Sequence, residues 1–130
     1  MSATRRSIEV AGLSHGNLPI PTASRVGPFI ATGGIRGVDR RSGVMPPDVA
    51  DQVRHMFSNL QAIVEAAGAD SASILKLTIW IKTQEARPLI NEEWVKMFPD
   101  PHARPARHIL NYELGGAMLV QCEALAVAAA

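Results

Sequence analysis

"DVADQVRHMFSNLQAIVEAAGADSASILKLTIWIKT", residues 48–83, changes its period partway along. In the first part Val49, Val53, Met56, Phe57, Leu60, Ile63, Val64 and Ala67 recur three and four residues apart, which lays one apolar stripe along a helix. Pro46 and Pro47 precede that stripe and Gly68 follows it, the punctuation of a helix start and a glycine cap. From Ser73 the spacing falls to two. Leu75, Leu77, Ile79 and Ile81 alternate with Ile74, Lys76, Thr78 and Trp80, so this part reads as a strand with one buried face.

Working outward, "EARPLINEEWVKMF" (85–98) restores helical spacing through Leu89, Ile90, Trp94 and Met97, with Pro88 tolerable in the first turn. "PDPHARP" (99–105) is a rigid loop. "ARHILNYEL" (106–114) and "AMLVQCEALAV" (117–127), separated by Gly115 and Gly116, read as a closing hairpin. Towards the amino terminus, "SIEVAG" (7–12) is a first strand with Ile8 and Val10 on one side, and "LSHGNLPIPTAS" (13–24) is loop. "PFIATGGIRGV" (28–38) is β-leaning, with glycines that imply a bulge or a close backbone approach, and "DRRSG" (39–43) is a turn. Strands, helix, strand, helix and two strands make an α+β domain spanning residues 1–130, with two helices packed on one face of a single mixed sheet. The last strand is apolar on both sides: Leu119, Leu125 and Val127 oppose Met118, Val120, Cys122, Ala124 and Ala126. A chain of 130 residues has too little left over to cover the second face, so a closed homo-oligomer is expected.

Composition narrows the function. Hydrophobic residues make up 47% and charged residues 19%, and the net charge is +1. No concentrated basic surface points to a nucleic-acid partner. One cysteine, Cys122, leaves no internal disulfide framework and no multi-cysteine zinc site. His15, His55, His102 and His108 lack metal-ligand spacing, so no metal is expected. "MSATRRSIEV" (1–10) has no apolar leader core and no stretch reaches membrane-spanning length, which points to a cytoplasmic protein with no membrane partner.

Two ions stand out from the tail. Glu123 falls within a strand of Leu, Val, Cys and Ala, where a carboxylate should be paired, protonated or wet. Arg107 opens the preceding strand and can offer a carboxylate two parallel donors. They make either a plain cross-strand ion pair or a site, and an adjoining cavity would discriminate. Asn91, early in the second helix, is either a solvated polar position or a cleft residue. His102, Arg104, Arg107 and His108 form a small basic cluster, an anion funnel or a solvated loop. Cys122 faces away from Glu123 and reads as core.

"PIPTASRVGPFIATGGI" (19–35), "QVRHMFSNLQAIVEAAGAD" (52–70), "ILKLTIWIKT" (74–83), "INEEWVKMF" (90–98), "PARHIL" (105–110) and "LVQCEALAV" (119–127) resemble, in order and spacing, the RidA family, also called YjgF or L-PSP. The resemblance implies a chorismate-mutase-like fold (the bacillus type) and a homotrimer with three clefts between subunits. It implies hydrolysis of reactive enamines and imines such as 2-aminoacrylate to 2-keto acids and ammonia, without a cofactor. By position, Arg107 matches the arginine that clamps the substrate carboxylate and Glu123 the glutamate that handles the catalytic water or proton. Asn91 matches the helix asparagine near the cleft, and Thr32 and Gly33 the Ser-Gly pair whose backbone lines it. Ile109 stands where many members have a cysteine acting through its carbonyl. Ile20 replaces the tyrosine of the family's "GPY", Gly34 the glutamine of "SGQ", and His108 the serine after the arginine. These changes fit a larger acid as an alternative, such as a 2-aminomuconate-type intermediate; a small-ligand-binding or chaperone-like trimer without turnover is the other alternative. Some relatives carry a ribonuclease label, against which the +1 charge and the absence of a basic, aromatic-studded stripe weigh.

Overall fold

Residues 48–83 do change from helix to strand in the computed structural model, which describes residues 4–129. Helix α1 spans Val49–Ala66 and buries Val53, Met56, Phe57, Leu60, Ile63 and Val64. At its far end Gly68 adopts φ +88°, and the Arg25 guanidinium donates to the Ala67 carbonyl at 2.7 Å. A cation thus sits on the negative end of the helix dipole. After a single 3-10 turn comes a strand over Ile74–Ile81, then helix α2 over Ala86–Met97, a strand over Ala106–Asn111 and a last strand over Val120–Val127. Numbered along the chain, the strands are β1 (Arg6–Ile8), β2 (Ala23–Val26), β3 (Phe29–Thr32), β4 (Ile35–Arg36), β5 (Ile74–Ile81), β6 (Ala106–Asn111) and β7 (Val120–Val127).

They form one seven-stranded sheet in the order β1-β2-β3-β7-β5-β6, with β4 also pairing to β7. Among the described residues, only β5 and β6 run parallel. The expected β6–β7 hairpin is therefore corrected: β5 lies between them, pairing with β6 on one side and β7 on the other. The physical reason is the crossover. Helix α2 carries the chain from β5 back to a parallel neighbour, as parallel pairing demands, so Gly115 and Gly116 belong to a longer return from the sheet edge to its middle. Two smaller corrections concern "LSHGNLPIPTAS" and Leu75. The end of the expected loop, Ala23 and Ser24, starts β2, and Leu75 is 60% exposed while Ile74 is buried, because the β5–β7 register shifts between Ile74 and Lys76. β1 ends at Ile8, leaving half-buried Val10 outside it.

Two fully buried amides stitch the helix layer to the sheet. Gln52 donates to the Pro46 and Ala117 carbonyls and accepts from the Leu119 amide, at 2.8–2.9 Å. Asn59 donates to the Arg36 and Val38 carbonyls and accepts from Arg40. Every strong donor and acceptor on these side chains has a partner, which is what makes burying them tolerable. Gly37 lies so close to Gln52 that a Cβ would strike its backbone. In β7 the burial alternates as expected: Val120, Cys122, Ala124 and Ala126 are in the core, and Glu123, Leu125 and Val127 are exposed. The exposed side carries Val26, Phe29, Leu75, Leu125 and Val127 around an apolar hollow of about 270 Å³.

Candidate functional site

The register of β5 places the two tail ions. Arg107 pairs with Leu77, whereas Glu123 pairs with Thr78. Consecutive residues of a strand point to opposite faces. Leu77 is buried beneath the helices, so Arg107 lies on the helix side, and Glu123 lies with Thr78 on the uncovered side. A cross-strand ion pair within the chain is thereby excluded, and within one chain the two groups share no hollow.

Arg107 sits on the outermost strand. Its guanidinium carbon stands 4.8 Å from the centroid of the Trp94 ring, over whose face the cation is held. Trp94 is itself fixed edge-to-face against Phe98, centroids 4.7 Å apart. Nη1 of Arg107 is buried and has no hydrogen-bond partner. Burial lowers its affinity for the proton, and the positive charge of nearby Arg87 lowers it further. Among the described residues no carboxylate lies within ion-pair distance of Arg107 or Arg87; the pairs present are Arg54–Asp51 and Lys96–Glu93. Arg87 is exposed to solvent, so the unmet hydrogen-bonding capacity is that of the buried Nη1 of Arg107.

Asn91 is exposed on α2, one turn from Arg87 and three residues before Trp94, so these side chains share the helix stripe next to Arg107. Ile109, half-buried, pairs with Ile79 two residues beyond Arg107 on the same strand face. Arg107, Asn91 and Ile109 thus gather along one edge of the molecule.

The other candidates gather elsewhere. Glu123 opens onto a hollow of about 240 Å³ lined also by Ala31, Thr32, Lys76, Thr78, Ala124 and Leu125. It is exposed, because none of the described residues covers that face; of the three conditions open to it from the sequence, paired, protonated or wet, the structure shows the solvent-exposed one. Thr32 does structural work beside it: its Oγ1 accepts from the Ala124 amide at 2.9 Å and donates to the Gly33 carbonyl at 2.8 Å. Gly33 donates to the Thr22 carbonyl and lies beside the buried, unpartnered Nε2 of His15. At Gly34 the space a Cβ would need is filled by the Gln121 amide, so the missing side chain makes room for Gln121. Ile20 is half exposed. The basic cluster divides: His102 and Arg104 line one hollow beside Phe98, whose carbonyl accepts from Arg104, while His108 pairs with Thr78 and so faces the Glu123 side. Cys122 is core, its thiol pushed far up by burial and then by the charge of Glu123.

Sequence reasoning missed Trp94 and Arg87 as neighbours of Arg107. The signal was present in their spacing from Asn91, three residues on and four back. Among the described residues no group of three or more His, Cys, Asp or Glu side chains could hold a metal ion, and no helix is long and apolar enough to cross a membrane.

A family model described as endoribonuclease L-PSP matches residues 20–128. The 2-iminobutanoate/2-iminopropanoate deaminase of Escherichia coli (strain K12) is 34% identical over 104 residues, covering 78% of this chain and 81% of that protein. A RutC family protein of Pyrococcus horikoshii is 29% identical over 110 residues, 83% of this chain and 86% of its own. Among solved structures, the Escherichia coli YjgF gene product superposes with a TM-score of 0.83 at 30% identity, covering 94% of this chain and 98% of that one. A Rhodopseudomonas palustris protein described as a "probable translation initiation inhibitor" gives 0.87 at 26% identity, covering 98% and 100%.

Proposed function

The chain belongs to the endoribonuclease L-PSP family, the RidA/YjgF group, and from that membership we propose that it hydrolyses 2-imino acids, and the enamines that tautomerise to them, to 2-keto acids and ammonia. The observation that carries the reading is the buried, unpartnered Nη1 of Arg107 on a ring-stacked guanidinium with no carboxylate of its own. A substrate carboxylate supplies what that group lacks. Two parallel donors then fix the plane of the imine relative to the protein, and such positioning lowers the barrier without further chemistry.

Water adds to the imine carbon, giving a carbinolamine; the C–N bond then breaks and ammonia departs. Both protons leave the water oxygen, one as it adds and one from the carbinolamine hydroxyl as the carbonyl forms. The imine nitrogen gains two on its way to ammonia, the first giving the protonated imine and the second the leaving group. Glu123 is the group proposed for these transfers, base first and acid second, a role that contributes about 10²–10⁴-fold in comparable cases. No metal or cofactor enters the proposal, because a protonated imine is already electrophilic. Asn91, the Ile109 carbonyl and the Thr32–Gly33 backbone are proposed to line the cleft, with Ile20 and Gly34 at its rim. Since Arg107 and Glu123 leave the sheet on opposite faces, the proposal takes them from two copies of the chain in a homotrimer, with the apolar face around Phe29 and Leu125 turned inward. Release of 2-keto acid from enzymatically generated 2-iminobutanoate is the test. Acceleration over the spontaneous rate, abolished in Arg107→Ala, is expected; equal rates with and without protein would refute the reading.

A further inference from the structure

We infer that the hollow between the 3-10 turn at Ser71–Ser73 and the loop 99–105 is a second binding site, for a small carboxylate carrying an apolar ring. The inference stands apart from the deaminase reading, and neither Arg107 nor Glu123 lines this hollow.

A stiff loop and a buried floor make the hollow. Pro99, Pro101 and Pro105 restrict the loop, and Asp100 folds it. The Asp100 carboxylate accepts from the His102 amide at 2.9 Å, and its carbonyl accepts from the Ala103 amide at 3.1 Å. His102 and Arg104 are thereby presented to one hollow of about 230 Å³, whose other walls include Ser71, Pro105 and the buried Ile74 and Phe98. Arg104 is oriented through Nε, which donates to the Phe98 carbonyl at 2.9 Å; both its terminal nitrogens lack a protein partner among the described residues. Among those residues no carboxylate lines the hollow. The two acids closest in sequence to its walls are engaged elsewhere, Asp100 on its own loop and Asp70 on the Ala72 amide at 2.9 Å. The rim therefore offers an anion a guanidinium fork, an imidazole and a hydroxyl, beside an apolar wall of Ile74, Phe98 and Pro105. A planar guanidinium matches a carboxylate through two parallel bonds. Apolar cavities of roughly 150 Å³ accept a benzene ring, so a ring bearing one carboxylate fits the space. Arg104 and His102 are exposed, which lets a ligand reach them and also screens the contact, so both the charge and the wall are needed.

The test is calorimetry on the full chain carrying Arg107→Ala, so that the proposed substrate clamp cannot contribute and the result does not depend on deaminase activity. Three probes are compared: benzoate, its neutral isostere benzamide, and acetate, which has the charge without the ring. Benzoate is expected to saturate and to bind at least about tenfold more tightly than either, the worth of one charge-assisted contact. Adding Arg104→Gln should bring benzoate level with benzamide, and Arg104→Lys should restore part of the difference. His102→Ala keeps the loop, because the hydrogen bond that His102 makes within the chain is through its backbone amide. It should weaken benzoate about threefold, and it decides should the glutamine variant fail to fold. Benzamide or acetate binding as tightly as benzoate, no saturable benzoate binding, or a benzoate preference unchanged by Arg104→Gln or by His102→Ala would each overturn the inference.

Discussion

Arg107 and Glu123 are anchored to adjacent residues of one strand, Leu77 and Thr78, and for that reason leave the sheet in opposite directions. The sequence leaves open a cross-strand ion pair or a shared site; the alternation of a strand separates the two groups within one chain. Each ends in different surroundings: a half-buried guanidinium with one unpartnered nitrogen, and an exposed carboxylate beside a hollow.

The stack of Arg107 on Trp94 should orient the clamp. Trp94→Leu removes the ring face, and a cation–π contact of about 0.5–2 kcal/mol predicts a rise in KM of about two- to thirtyfold for 2-iminobutanoate. Trp94→Phe should recover most of it. Steady-state kinetics decide, and a fall confined to kcat would contradict a positioning role.

Thr32 bridges the end of β3 to β7. Thr32→Val keeps the shape but leaves the buried Ala124 amide without an acceptor, so unfolding free energy should fall by about 1–3 kcal/mol, while Thr32→Ser stays close to the parent. Denaturant titration of the three proteins measures this. Equal stability of the valine variant would mean that the hydroxyl is dispensable.

Cys122 gives a pH dependence of definite sign. Burial raises its thiol above the ordinary value of 9.0, so the folded chain holds the proton more tightly than the unfolded one. That contribution is fully present below pH 9.0 and is lost as pH rises beyond it, by up to about 1.4 kcal/mol per pH unit. Cys122→Ala should be less stable at neutral pH yet lack this alkaline slope. Thiol reagents should react with the native protein only at the rate of unfolding.

What could be read from residues alone was whatever is local. The stripe from Val49 to Ala67 and the alternation from Leu77 to Ile81 report periods that neighbouring residues fix between them. Pairing is not local, so "ARHILNYEL" and "AMLVQCEALAV" looked like a hairpin although Ile79 sits between Ile109 and Cys122. Leu75 escaped for the same reason, since a bulge is a property of two strands. At the site, the resemblance joins Arg107, Glu123, Asn91, Thr32, Gly33 and Ile109 in one cleft, whereas within one chain Arg107 and Ile109 lie on the helix side of the sheet and Glu123 on the other. The stacking of Arg107 on Trp94 depends on where α2 docks, which no local spacing encodes.

The central claim is that one active centre draws on two chains, and mixed oligomers test it most directly. Arg107→Ala and Glu123→Gln proteins, each inactive alone, are unfolded together at equal concentration, refolded and assayed for 2-keto acid release. If the centre takes the arginine from one copy and the glutamate from its neighbour, random assembly leaves about a quarter of the centres intact, and activity returns to about that fraction of the parent's. Recovery of none, with the parent refolding fully under the same treatment, would contradict it.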